Sequence, residues 1–321
     1  MSFFRKRGWA WPSELRARGV LGLNARNADF VLVCNPRAHY PRVDDKRLTK
    51  GICETHGIPV PKTYAVLECQ GDIRRFAEMT REQGEFVIKP ASGSEGRGII
   101  VVASHDHETF VTSGEERLPL ADVQYHLSST LSGLYSLGGQ TDSVILEQRI
   151  IRHAAFEQVA VRGTPDIRVV LYRSVPVMAM VRLPTVASRG RANLHQGAVA
   201  AAVNLVTGMT FGGVCQNRVI ENHPDTGAPI AGLRIPFWDQ LLTAATKLAD
   251  ALEMGYIGVD FVLDAKIGPV VLEANARPGL AIQIANRCGL RPRLDFIDQQ
   301  ITGAVTPARQ KELVSAIAQL T

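Results

Sequence analysis

The sequence predicts a mixed α and β protein, an α+β fold of the α/β type, arranged as two lobes. Three observations carry that expectation. Strand-length apolar runs alternate with helical patterns, with no internal repeat and no low-complexity tract. A glycine-rich loop joins two apolar runs between Glu85 and Val102. A second pair of runs, 258–264 and 270–275, carries Asp260, Glu273 and Asn275.

The chain has 321 residues, 45% of them hydrophobic, enough for a substantial core and two domains or lobes. No stretch approaches the ~18 apolar residues of a membrane helix, and the start lacks the apolar run of a signal peptide. A cytoplasmic protein is expected. The five cysteines are odd in number and scattered, which disfavours a disulfide framework and a zinc site. A formal charge of +5 suits nucleic acid, an anionic membrane face or a polyanion such as ATP, and charge alone does not choose. Arg5, Lys6 and Arg7, with Phe3, Phe4, Trp9 and Trp11 around them, resemble a weak peripheral membrane anchor. A helix packed on the body is the simpler reading.

Residues 1–44 form a short leader with one candidate strand, Phe30–Cys34, and the loop Asn35–Pro41. Asp44 or Asp45 caps a following helix that Gly57 ends. Lys46 and Lys50 share one face of it, and on spacing alone that face is solvated. The unit 85–102 reads as a strand, a loop with Gly93, Gly96 and Gly98, and a returning strand, hence a hairpin with a mobile tip. It matches neither a P-loop nor a dinucleotide fingerprint, yet its glycines let backbone N–H groups approach phosphates. Lys89 closes the first strand, where an ammonium would face them.

The Gly/Ser-rich stretch 127–139 marks a lobe boundary, and a strand containing Glu147 and Gln148 follows. Residues 166–172 and 176–181 read as paired strands, and 189–197 as a polar loop. Trp238, Leu241, Ala245, Leu248 and Leu252 recur at helical spacing, so that helix belongs to the core. His105 and His107 have no third ligand nearby, and His195 reads as a hydrogen-bonding loop residue.

The last pair of runs, joined by the turn 266–269, forms a hairpin. Glu273 and Asn275 are two apart, so a strand points both to one face. Asp260 joins them from the neighbouring run. Hard oxygen donors of this kind suit Mg²⁺ shared with substrate phosphates.

In order stand Asp45-Lys46, Phe-Val-Ile-Lys89-Pro, Leu-Glu147-Gln148-Arg-Ile150, Asp166-Ile-Arg168, Arg191-Ala-Asn193-Leu-His, Gly-Val-Asp260 and Leu-Glu273-Ala-Asn275-Ala-Arg277-Pro-Gly. Over residues 44–290 this series resembles the ATP-grasp carboxylate–amine ligases, most of all the RimK-type α-L-glutamate ligases. The resemblance implies two lobes, each with a mainly antiparallel sheet, and ATP in the cleft between them. It implies a leader (1–44), a first lobe (45–142), a second lobe (143–290) and a helical tail (291–321). ATP phosphates would meet Lys46, Lys89 and the loop of Ser92, Gly93, Ser94 and Gly96. Adenine would lie at Glu147, Gln148 and Ile150, and ribose near Asp166. Arg191 and Asn193 would reach back to the nucleotide. Asp260, Glu273 and Asn275 would hold Mg²⁺, with Mn²⁺ an admissible substitute.

The implied reaction joins a small-molecule or peptide carboxylate to an amine through an acyl phosphate, with Arg168, Arg191 and Arg277 facing the developing charge. An ATP-binding regulator or scaffold of the same fold is the alternative. A homo-oligomer is expected, and nucleic acid is not, since no aromatic–basic interleaving accompanies the charge. The leader is shorter than the family's usual first domain. Arg149, Arg152, His153 and Arg162 lie in an insertion between Glu147 and Asp166, and Arg277 stands where a small residue is usual. The acceptor site is therefore expected to differ.

Overall fold

Among the described residues every strand pairs antiparallel, in two sheets. The computed structural model describes residues 10–93, 96–136, 139–301, 303 and 305–320. The basic cluster Arg5–Arg7 and Ser94 lie outside the described residues.

The first sheet contains β1 (Thr63–Leu67), β2 (Phe86–Pro90), β3 (Ile100–His105), β4 (Thr109–Thr112), β5 (Arg117–Pro119) and β6 (Val144–Glu147), in the order β1-β6-β2-β3-β4-β5. Phe76, Phe86 and Phe110 pack there against Val123 and Leu127 of the helix Leu120–Leu131. The expected hairpin is present, with Ile88 opposite Ile100. The lobe boundary moves, because β6 hydrogen-bonds between β1 and β2. Its four residues are all buried, which holds it in the first sheet. The chain therefore crosses to the second sheet after Glu147, not at residue 143, and the start of the Gly/Ser-rich stretch is the end of a first-lobe helix.

The second sheet contains β7 (Asp166–Tyr172), β8 (Val175–Leu183), β9 (Val199–Val203), β10 (Thr210–Cys215), β11 (Arg218–Ile220), β12 (Tyr256–Asp264) and β13 (Gly268–Asn275). Their order is β11-β10-β9-β8-β7-β12-β13. The helix Trp238–Leu252 buries the residues its periodicity selects. Two tail helices, Arg291–Gln300 and Pro307–Ile317, add Leu294, Ile297, Leu313 and Ile317 to the same core.

The leader is part of this core, and Phe30–Cys34 is not a strand. Arg26–Val31 forms a π-helical turn and Leu32–Cys34 continues it. Consecutive Phe30 and Val31 are buried while Leu32 and Val33 are exposed, a pattern no strand allows. Phe30 meets Tyr172 edge-on at 5.4 Å and stacks beside Tyr256 at 6.3 Å. Asn35 donates to the Tyr256 carbonyl at 2.7 Å and accepts from its N–H at 2.9 Å.

Candidate functional site

The helix Lys46–Thr55 starts at Asp45, whose side chain accepts from the Arg47 N–H at 2.8 Å. Its lysine face is not solvated: Lys50 is 6% exposed, and Lys46 is largely covered. The reason lies across the chain in β2 and β6. Lys50 Nζ donates to Glu147 Oε2 at 2.6 Å, and Lys89 Nζ lies 2.5 Å from Oε1. Burial alone would raise the Glu147 carboxyl, but Lys89 and Lys50 outweigh it and hold the group below its ordinary range. Burial lowers Lys50, with Glu147 opposing. Glu147 thus orients two lysines, one with each oxygen. Gln148 closes against β1, its N–H donating to the Lys62 carbonyl at 2.8 Å, and Ile150 follows half-buried.

Lys46 reaches between the sheets. Its Nζ donates to the Gly93 carbonyl at 2.6 Å and lies 3.9 Å from Glu273 Oε2. Burial lowers its pKa, and Glu273 counters. The backbone N–H of Ser92 points to both oxygens of Asp142, 3.0 Å each, which fixes the start of the glycine loop. A Cβ on Gly93 would sit 2.2 Å from the Pro90 ring, so only glycine permits this close turn. Gly96, with φ +70°, stands exposed further along.

One face of the second sheet carries the remaining charges. Register sets Arg182 opposite Asp166, Arg168 opposite Asp260, and Asp260 opposite Glu273. Arg168 forks onto Asp260, Nε at 2.7 Å and Nη2 at 2.5 Å, and Arg182 adds a contact to Oδ2 at 2.8 Å. Arg182 also grips Asp166 with two nitrogens. Burial would raise Asp260, but the two guanidiniums hold it down to about 2. Asp166 is largely buried, and each of its oxygens accepts one bond from Arg182, the residue opposite it.

Glu273 is the open donor, its side chain 34% exposed, and Asn275 Nδ2 donates to its Oε1 at 3.3 Å. These two share a face, as their spacing predicts, and offer hard oxygens that fit Mg²⁺. Asp260 fits less openly. Asp260 is 1% exposed, its Oδ2 accepts from two guanidiniums and its Oδ1 from one, so it would meet a cation only by giving up an arginine contact.

Other expected residues lie around this centre. Arg191 is exposed and donates to Gln196 at 3.4 Å, while Asn193 caps the turn Leu194–Gln196 by accepting from the His195 N–H at 2.9 Å. Arg277 is drawn away from the charged face and lies over the Tyr40 ring at 5.1 Å. The insertion is structural in part: Arg149 pairs with Glu85 at 2.9 Å, Arg152 donates to the Ala160 and Gly163 carbonyls, and His153 caps a turn at Ala155. Sequence reasoning missed Arg182, although a charge ending the apolar run 175–181 is the same signal that marked Lys89. It also missed Asp142.

A family model described as sugar-transfer associated ATP-grasp matches residues 25–299. No curated protein matches the sequence. Among solved structures, pyruvate carboxylase from Rhizobium etli is 16% identical, with a TM-score of 0.53 over 91% of this chain and 21% of that one. D-alanine–D-alanine ligase from Bacillus anthracis, complexed with ATP, is 14% identical over 94% of this chain and 75% of its own, TM-score 0.46. The ATP-grasp ligase PsnB, with minimal precursor, Mg and ADP, is 15% identical over 83% of this chain, TM-score 0.47. This chain spans 60–63% of the PsnB chains it matches. Among the described residues, no helix is long and apolar enough to cross a membrane.

Proposed function

Because this chain belongs to the sugar-transfer associated ATP-grasp family, we propose that it is an ATP-dependent ligase joining a carboxylate to an amine. The observation that carries the reading is that Lys46 bridges the Gly93 carbonyl of the glycine loop and the open Glu273–Asn275 pair, while Lys50 and Lys89 are held nearby on Glu147. A polyphosphate entering there meets ammonium groups already oriented by Glu147 and the Gly93 carbonyl.

In this reading Lys46 exchanges its carbonyl and Glu273 contacts for phosphate oxygens, and Lys89 stays aimed by Glu147. Glu273 and Asn275, joined by Asp260 once it gives up an arginine contact, would hold Mg²⁺, which neutralises phosphate charge when bound. The acid substrate's carboxylate attacks the γ-phosphorus and ADP leaves, giving an acyl phosphate. The amine then attacks the acyl carbon, phosphate leaves, and the amine loses a proton. Arg168 has one arm outside its fork on Asp260: a Cβ built on Gly279 lies 3.6 Å from its Nη1. That arm orients the carboxylate, and closure of the glycine loop excludes water from the acyl phosphate. The RimK-like motif series puts glutamate first among the acids to test.

Carboxylate-stimulated ADP release, with mass spectrometry of the product, tests the reaction. Glu273→Gln is expected to reduce turnover at least about a hundredfold at unchanged melting temperature; full turnover in that variant would sink the proposal. One feature favours a second reading, a non-catalytic ATP-binding regulator: both oxygens of Asp260 are engaged by arginines. Tight ATP binding without ADP release for any acid would support it.

A further inference from the structure

A cavity of about 370 Å³ opens between the turn Leu194–Gln196, the β10–β11 hairpin and the helix Ile282–Asn286. We propose that it binds an uncharged, hydroxyl-bearing group of the acceptor substrate, a sugar ring being the type that fits. The proposal deepens the ligase reading, on which it rests for the word acceptor.

The volume lies within the ~300–1,000 Å³ of small-molecule sites. His195, Gln196, Gln216 and Asn217 supply the polar lining. Leu194, Val214 and Ile284 supply an apolar side. No lysine, arginine, aspartate or glutamate lines it. Amides both donate and accept, which matches hydroxyls, and the one guanidinium bonded to the lining among the described residues is that of Arg191, on Gln196 at 3.4 Å.

The hairpin turn gives an independent reason. Gln216 and Asn217 link Cys215 to Arg218 in two residues, both left-handed, with φ of +48° and +62°. Glycine folds such a turn with least strain, yet this chain keeps a glutamine there. The β7–β8 turn has the same form at Arg173 and Ser174, but their side chains are used structurally, on Asp298 and Asp250. The side chains of Gln216 and Asn217 are exposed and line the cavity, where both are open to solvent or a ligand.

The cavity lining is linked to the charged face along the chain. Ala281 in its lining is two residues from Gly279, the neighbour of Arg168 Nη1, and His195 is two from Asn193.

Saturation-transfer NMR on the full chain, with glucosamine and N-acetylglucosamine as probes and L-glutamate as charged control, tests this. Sugar signals are expected, weakened roughly tenfold or more by combined Gln216→Gly and Asn217→Gly, with melting temperature unchanged or raised and ATP affinity unchanged. Absent sugar signals, signals indifferent to the double substitution, or displacement by L-glutamate would overturn it. This readout needs no turnover. Failure of the ligase reading would appear separately, as no carboxylate-stimulated ADP release.

Discussion

Glu147 gives each of its oxygens to a different ammonium, and its removal would leave two buried lysines facing each other. Glu147→Gln is therefore expected to cost about 3 kcal/mol at neutral pH. The carboxyl lies below its ordinary 4.5 in the folded state, so its contribution is present above that value and lost as pH falls through the lower one. Urea unfolding should show the gap between wild type and variant narrowing from pH 7 to pH 3; a constant gap would contradict the assignment. The same reasoning separates two substitutions at the proposed cation site. Asp260→Asn disturbs a buried pair with two guanidiniums and is expected to destabilise by roughly 3–5 kcal/mol. Glu273→Gln, on a partly open side chain, should cost less than about 1 kcal/mol. Thermal melts of both variants check the order, and make Glu273 the cleaner probe of turnover.

The insertion and the Arg191 loop act as one element. A Cβ on Gly163 would lie 1.9 Å from the Gly190 carbonyl oxygen, and one on Gly190 would lie 2.0 Å from that of Arg162. Two backbones this close leave no room for a side chain, so the insertion buttresses the segment that presents Arg191 and Asn193. Gly163→Ala is expected to destabilise by about 1–3 kcal/mol and to raise KM for ATP. Unfolding curves and initial rates measure the two effects, and an unchanged KM would show that the contact supports stability alone. Elements with a strong period were legible in the sequence: the Asp260–Glu273 hairpin, the Trp238–Leu252 helix and the glycine-loop hairpin. Phe30–Cys34 was not, because five apolar residues have no decisive period and the neighbouring Tyr172 and Tyr256 select a helical turn. Lys50 and Arg182 escaped for a related reason. A helix face or strand end looks solvated until Glu147 or Asp166, 97 or 16 residues away, is placed against it.

The whole molecule closes on itself through its leader. Leu21 exchanges hydrogen bonds with Gln283, Arg26 donates to the Pro278 carbonyl at 2.7 Å, and Arg291 lies over Phe30 at 5.2 Å. Phe30→Ala is expected to cost about 3–5 kcal/mol in urea unfolding, as for a core phenylalanine and not a peripheral one. A loss below about 1 kcal/mol would mean that the leader is only loosely docked. These contacts span 221 to 262 residues. During synthesis the leader emerges before the second lobe, and its partners Tyr256, Pro278 and Gln283 are added more than two hundred residues later. Its apolar side chains must wait, uncovered, until nearly all of the second lobe has left the ribosome. Long-range closure of this kind slows folding, so completion of that lobe is expected to be a late step in the life of each new chain.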